Sequence, residues 1–207
     1  MQMKQFNLVS LLLSVCLVVC LTLWILSEYK NNAYEKYLSS EIVNQIVGIT
    51  SSTSYSLGIL EDVLKSGMLT IAQKDELALN FSEIVFDIQD VANFAQYIGE
   101  LKDFNYNKIT IVNSDYYHYF MNLEIPFDRD RIRLSTEQIE DMTKMKNQMK
   151  EYIEVIEDTL HFTAEVGTRG QSNQFFDYYA EEGITDNYWV DLLKGYEAST
   201  KWSNRIY

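Results

Sequence analysis

Hydrophobic and polar positions divide this chain into one unbroken apolar run followed by stretches with helical periodicity. Residues 6–26, FNLVSLLLSVCLVVCLTLWIL, carry no charge. At about 1.5 Å per residue a helix of this run is roughly 31 Å long, which matches a hydrocarbon core of about 30 Å. Beyond it Leu38, Ile42, Ile46, Ile49, Leu57, Leu60 and Leu64 fall at helical spacing, with Thr53 filling one step. This predicts a helix continuing directly out of the run. Within it GITSSTSYSLG, residues 48–58, is rich in Ser and Thr and poor in strong helix formers. Small side chains permit close helix approach, so the stretch reads as a tight packing face; a kink or a ligand-facing surface is the alternative.

Ser66-Gly67 breaks the pattern, and Thr70 with Gln73 has the spacing of a capping box. In the next helix Leu77, Phe81, Ile84, Ile88, Val91, Ala95 and Ile98 step alternately by four and three. Such a coiled-coil-like seam needs a partner helix, from this chain or another. Leu134, Ser135, Gln138 and Ile139 combine a capping box with a hydrophobic staple. The helix they begin carries Met142, Met145, Met149, Tyr152, Ile153, Ile156 and Leu160 on one face and is expected to end near Gly167. Met at helical spacing reads as core packing. After the GTRGQSN loop, Thr185 or Asp186 is expected to cap a short final helix carrying Trp189, Leu192, Leu193 and Tyr196. The expected fold is all-α, an N-terminal transmembrane helix followed by an antiparallel bundle of four helices.

Residues 104–133 break this regularity. Lys108 to Val112 is β-branched, Asn113-Ser114-Asp115 is turn-forming, and Tyr116 to Met121 is aromatic, which predicts a small β-hairpin inserted between the second and third long helices. Tyr116, Tyr117, His118, Tyr119 and Phe120 concentrate the amphipathic rings favoured at binding sites. They form the candidate ligand- or partner-binding surface; the bland reading has alternate residues covering the bundle.

Three features bear on the fate of the apolar run. It is longer than the apolar region of a cleaved signal, and Ile25-Leu26-Ser27 and Cys20-Leu21-Thr22 are poor cleavage sites. Val15 and Val19 precede Cys16 and Cys20 where a lipoprotein would carry a small residue, so both thiols read as small apolar side chains. Trp24 and Tyr29 suit the headgroup level. The run is therefore expected to be retained as a signal anchor, with residues 1–5 a short cytoplasmic leader, 6–26 the span and 27–207 an acidic extracytoplasmic domain. Lys4 on one side and Lys30 and Lys36 on the other leave the charge rule nearly balanced, so orientation rests on the shortness of the leader.

Residues 27–207 hold 16 Lys and Arg against 30 Asp and Glu, a formal charge of −14. That surface repels phosphate backbones and anionic headgroups, which excludes nucleic acid as an expected partner. Neither cysteine lies in this part, so packing alone must hold it together.

Candidate chemistry is sparse. His118 and His161 are the two histidines, and neither lies in a zinc or nucleophile motif. No phosphate loop, nucleophile elbow or dinucleotide fingerprint occurs, so no cofactor is expected. Asp128 and Asp130 alternate with Arg, which suggests mutual neutralisation, not calcium binding. Glu151, Glu154, Glu157 and Asp158 read as a solvated acidic stripe, and no metal site or catalytic residue is expected. Asn80-Phe81-Ser82 matches a glycosylation sequon whose Phe81 lies on the seam.

These readings lead to a single-pass membrane protein whose helical domain binds a protein partner or self-associates through the seam, as an accessory or assembly subunit of the cell envelope. The alternative is a ligand-sensing ectodomain acting through a membrane partner. A bundle after a first span is similar in architecture to the sensory modules of chemoreceptors and sensor kinases, without their second span and transmitter. An enzyme would require a cleft placing His118 or His161 beside two carboxylates.

Overall fold

The computed structural model describes residues 2–101, 104–182, 184 and 186–206, with side chains described from residue 9 onward except at 181 and 182. Helix α1 (Gln2–Ser66) is followed by β1 (Met68–Thr70), α2 (Ile71–Ile98), α3 (Asn107–Asn122), β2 (Arg131–Arg133), α4 (Thr136–Thr159), α5 (Asn173–Glu182), α6 (Tyr188–Ser199) and a 3-10 turn at Trp202–Asn204. The described residues are mostly helical, with one small two-stranded sheet among them.

The first helix is continuous from the apolar run to Ser66. Every residue from 9 to 37 is exposed, and the apolar run makes this helix long and apolar enough to cross a membrane. Its window of highest hydropathy has no residue buried inside the fold, unlike a core helix. Ser14 Oγ donates to Ser10 O at 2.9 Å and Thr22 Oγ1 to Val18 O at 2.8 Å. Those hydroxyls are thus satisfied by their own helix, as a lipid environment requires.

Above residue 38 the same helix enters the core. Helices α2 and α4 run antiparallel to it, while α3 and α6 run antiparallel to α2 and α4 respectively. A short sheet closes the end far from the apolar run: β1 pairs antiparallel with β2 in the register Met68↔Arg133, Leu69↔Ile132, Thr70↔Arg131. Gly67, at φ 68°, lets the chain reverse after α1, and its carbonyl accepts from Leu134 N at 3.0 Å. Each strand leads toward a helix with a complete capping box, Thr70 with Gln73 for α2 and Ser135 with Gln138 for α4. Leu134 is buried whereas Ile139 is exposed, so the expected staple has only its first half in the core.

The α2 seam finds its partners within this chain, in α1 and α3. Leu77, Phe81, Ile84, Ile88, Val91 and Ala95 are fully buried, and Ile98 at the end is exposed. Asn80 is buried beside the seam, which closes its sequon to glycosylation in the folded chain. Met142, Met145 and Met149 are likewise fully buried core residues.

Three expectations are corrected. Residues 107–122 form α3, not a hairpin, because Ile109, Val112, Tyr116 and Phe120 repeat at three and four and are all fully buried. Burial of that face outweighs the modest helix penalty of the β-branched residues. Tyr116 packs edge-on to Phe81 at 5.1 Å and Phe120 stacks on it at 6.0 Å. Asn113, expected in the turn, is mid-helix and donates to Ile109 O at 2.8 Å. Secondly, α4 stops at Thr159 instead of Gly167, since Leu160 is extended. Thirdly, the tail forms two helices where one was expected. Thr185 lies outside the described residues, and Asp186 does not cap α6: the cap position is Asn187, with no side-chain hydrogen bond, while Asp186 Oδ1 accepts from Asn187 N at 2.7 Å.

The Ser/Thr-rich stretch is the most enclosed part of α1. Residues 49–54 are buried without interruption because elements close on the helix from several directions. Facing α2, Ser52 Oγ donates to Glu83 Oε2 at 2.6 Å. Facing α6, Thr53 Oγ1 shares a hydrogen with Tyr196 OH at 2.9 Å. The loop after α4 crosses the third side: Gly167 N donates to Ser54 Oγ at 3.1 Å and Gly170 N to Ser51 Oγ at 2.6 Å. A Cβ on Gly58 would stand 2.7 Å from Gly167 Cα. Larger side chains would hold these elements apart, so the stretch is a close-packing face.

Candidate functional site: an acidic and aromatic cavity

The end of α4 borders a chemically distinctive cavity. Where Leu160 leaves the helix, His161 N donates to Tyr179 OH at 2.7 Å, and the following Phe162 takes φ 60°, rare for a side-chain-bearing residue. Tyr178 meets both rings of this turn edge-on, His161 at 5.9 Å and Phe162 at 5.3 Å. On the inner side Tyr179 packs against Phe175 at 4.7 Å and against Tyr188 at 4.4 Å. Phe175 and Tyr179 are buried in the core, which anchors α5, while Tyr178 faces outward on the next position of the same helix.

These elements border an open cleft of about 330 Å³. Three carboxylates line it, Asp158 from the last turn of α4, Asp186 before α6 and Asp191 in its first turn. His161, Tyr178, Tyr179 and Tyr188 form the aromatic wall, and neither Lys nor Arg is among the lining residues. Carboxylates attract a cation, and aromatic faces add to that attraction when the cation sits over a ring. The cavity therefore suits an organic cation such as an ammonium or guanidinium group. Its carboxylates do not converge on a metal: among the described residues no group of three or more His, Cys, Asp or Glu is placed to hold one.

The candidate surface expected at Tyr116–Phe120 is taken apart by the helix that carries it. Successive residues turn by about 100°, so neighbours in sequence diverge in space. Tyr116 and Phe120 are fully buried, Tyr117 and Tyr119 are partly buried against the core, and His118 is exposed. Tyr116 OH donates to Asn204 O at 3.0 Å, and burial, then the neighbouring Tyr152 and Asp115, raise its pKa far above the ordinary tyrosine value. Among the acidic residues, Asp130 pairs with Arg131 through two 3.0 Å hydrogen bonds, consistent with mutual neutralisation. Asp158 is exposed, as expected of the solvated stripe, and it also lines the cavity. His161, Tyr178, Tyr179 and Tyr188 carried no motif. The available signal was QFFDYYAEE, in which aromatics recur at helical spacing beside acids.

A second electrostatic feature lies between α1 and α2. Asp87 packs against Gly48, where a Cβ would collide with its carboxylate. Burial raises the Asp87 pKa to about 7, and Glu83, Asp90 and Glu41 push it in the same direction. Deeper in the core Tyr152 stacks on Tyr196 at 4.1 Å and shares a hydrogen with Thr200 Oγ1 at 2.7 Å. Burial raises Tyr152 to about 12 although hydrogen bonds from Thr200 and Asn113 act against it.

Comparison with protein-family models, curated proteins and solved structures returns no match.

Proposed function

We propose that this is a single-pass membrane protein holding its helical domain outside the cytoplasmic membrane, where the domain binds a protein partner as an accessory or assembly subunit of the cell envelope. The observation supporting this reading is the continuity of α1 from the apolar run into the centre of the bundle. A helix of residues 27–37, all exposed, raises the bundle by roughly 16 Å above the end of the run. A rigid stalk of this kind presents a domain at a set height, where a second membrane protein can meet it. Alkaline washing of native membranes should leave the chain in the pellet, and protease added to spheroplasts should digest the domain. Release by alkali or complete protection would overturn the topology, and absence of any crosslinked partner in native membranes would overturn the partner.

The cavity favours a second reading, a ligand-sensing domain whose ligand is an organic cation. Ile184 N donates to Ser39 Oγ at 3.1 Å, so this region is tied directly to α1 where it enters the bundle. Occupancy therefore has a short physical path to the stalk. His161 lines the same cleft as these carboxylates, but three negative groups and an aromatic wall suit the holding of a cation more than the activation of a nucleophile. Addition of arginine or tetramethylammonium should raise the melting temperature of the purified chain, and Asp191→Asn with Tyr178→Ala should abolish the rise; an unchanged melting temperature rejects this reading.

A further inference from the structure

We propose that the outward face of α2 is a docking surface for an amphipathic helix of the partner, one that presents large apolar side chains flanked by Lys or Arg. This rests on the partner-binding reading and names the chemistry of that partner. Five large apolar residues of α2 stand in the open, Ile71 (42 % exposed), Leu79 (49 %), Phe86 (62 %), Tyr97 (91 %) and Ile98 (40 %), and three of them, Leu79, Phe86 and Tyr97, share one face. The steps from Leu79 to Phe86 and on to Tyr97 are near-whole multiples of the helical repeat, so these side chains form a line diametrically opposite the buried seam. From Leu79 to Tyr97 the line runs roughly 27 Å, long enough for several turns of a second helix. Scattered exposed apolar residues are ordinary; here three of them align on one face at near-whole helical turns, the spacing at which a docked helix places its anchors.

Charge selects the occupant. Exposed Asp75 and Asp90 lie in the same row, with exposed Glu83 at its edge. Lys74 is the only base in α2; its position lies a third of a turn or more off the row, and its ammonium pairs with Asp75 at 3.4 Å. A partner helix bearing Lys or Arg beside its apolar positions would cover Phe86 and Leu79 and neutralise this flank together. A second copy fits poorly. A symmetric pairing through this face would bring Asp75, Glu83 and Asp90 of one domain against the same acids of another.

The test uses the full chain in nanodiscs of zwitterionic lipid, with empty nanodiscs subtracted, and a fluorescent leucine–lysine amphipathic helix as the probe. Because Phe86 is exposed, Phe86→Ser should leave the circular dichroism unchanged, yet weaken the probe by about tenfold or more, the loss of an apolar anchor. Asp90→Lys should weaken it clearly, whereas Glu154→Lys, the same charge change on the exposed side of α4, should leave it within about twofold. Equal effects of the two charge reversals, or full binding by Phe86→Ser, would overturn the proposal. In native membranes, a photoreactive residue replacing Phe86 should crosslink to a basic, amphipathic segment of another protein. Partner crosslinks formed elsewhere on the domain, but not from positions 79 or 86, would reject this face and leave the partner-binding reading standing. A product joining two copies of this chain would also reject it. Crosslinks from no position at all would reject the partner-binding reading itself.

Discussion

Two stretches of α1 reverse the usual relation between polarity and exposure. From Val9 to Leu26 the large apolar side chains are 48 to 64 % exposed, while from Thr50 to Ser56 six serines and threonines are buried in the bundle. One helix thus leaves its oily part bare and encloses its polar part. The reversal makes sense if the bare section has lipid as its solvent and the enclosed section has close neighbours on several sides. In the first, hydroxyls must be satisfied within the helix, as at Ser14 and Thr22. In the second, hydroxyls serve as short connectors to α2, α6 and the loop after α4. Exposure is set by what closes on a helix, and small polar residues are what allow such closure.

The strongest way to break this comparison is to charge the bare section. Leu17→Arg should cost about 3 kcal/mol of insertion free energy near the centre of a span, and should move a measurable fraction of the chain into the alkali-soluble pool. Next comes overfilling of the enclosed section. Gly58→Val would press against the Gly167 backbone, which has no flexible end to swing away, and should destabilise the fold by about 2–3 kcal/mol in urea unfolding. Cutting one polar connector should do less. Thr53→Val leaves the buried Tyr196 hydroxyl without this partner and should cost about 1–2 kcal/mol; adding Tyr196→Phe should recover part of the loss.

The last effect is read through pH. Asp87 has a folded-state pKa of about 7 against an ordinary value of 3.8, so the folded chain favours its neutral form. Its contribution to stability is complete below 3.8 and is lost as pH rises through 7. Asp87→Asn should therefore melt higher than the parent at pH 8 and similarly at pH 4, with the difference opening between them. A difference of opposite sign at pH 8 would mean that the Asp87 carboxylate is stabilised by a group not facing it here.

Much of this architecture was legible from residues whose signal is local. The starts of α2 and α4 could be read from Thr70 with Gln73 and Ser135 with Gln138, because a capping box satisfies helix-end amides wherever the rest of the chain lies. The seam of α2 was equally plain, although its choice of α1 and α3 as partners was not, since periodicity shows that a face is buried and not by what. Helix α3 was misread because Ile109 to Val112 satisfies strand propensity over a few residues, while its helical period emerges only when Ile109, Val112, Tyr116 and Phe120 are taken together. That error also assembled the Tyr116–Phe120 surface, which exists only if alternate residues share a face. The cavity around His161 was invisible for another reason: Asp158, Tyr178 and Asp191 come from three helices, and nothing local records their meeting.

Cysteine-scanning alkylation along α1 in native membranes, on a background lacking Cys16 and Cys20, tests the central claim most directly. With a membrane-impermeant maleimide, positions 9–24 should resist labelling, Tyr29, Tyr34 and Tyr37 replaced by Cys should label quickly, and positions 49–54 should label only after denaturant opens the bundle. Rapid labelling throughout 9–24, or of 49–54 in the native state, would contradict the account of one helix crossing from lipid, through water, into a closed protein core.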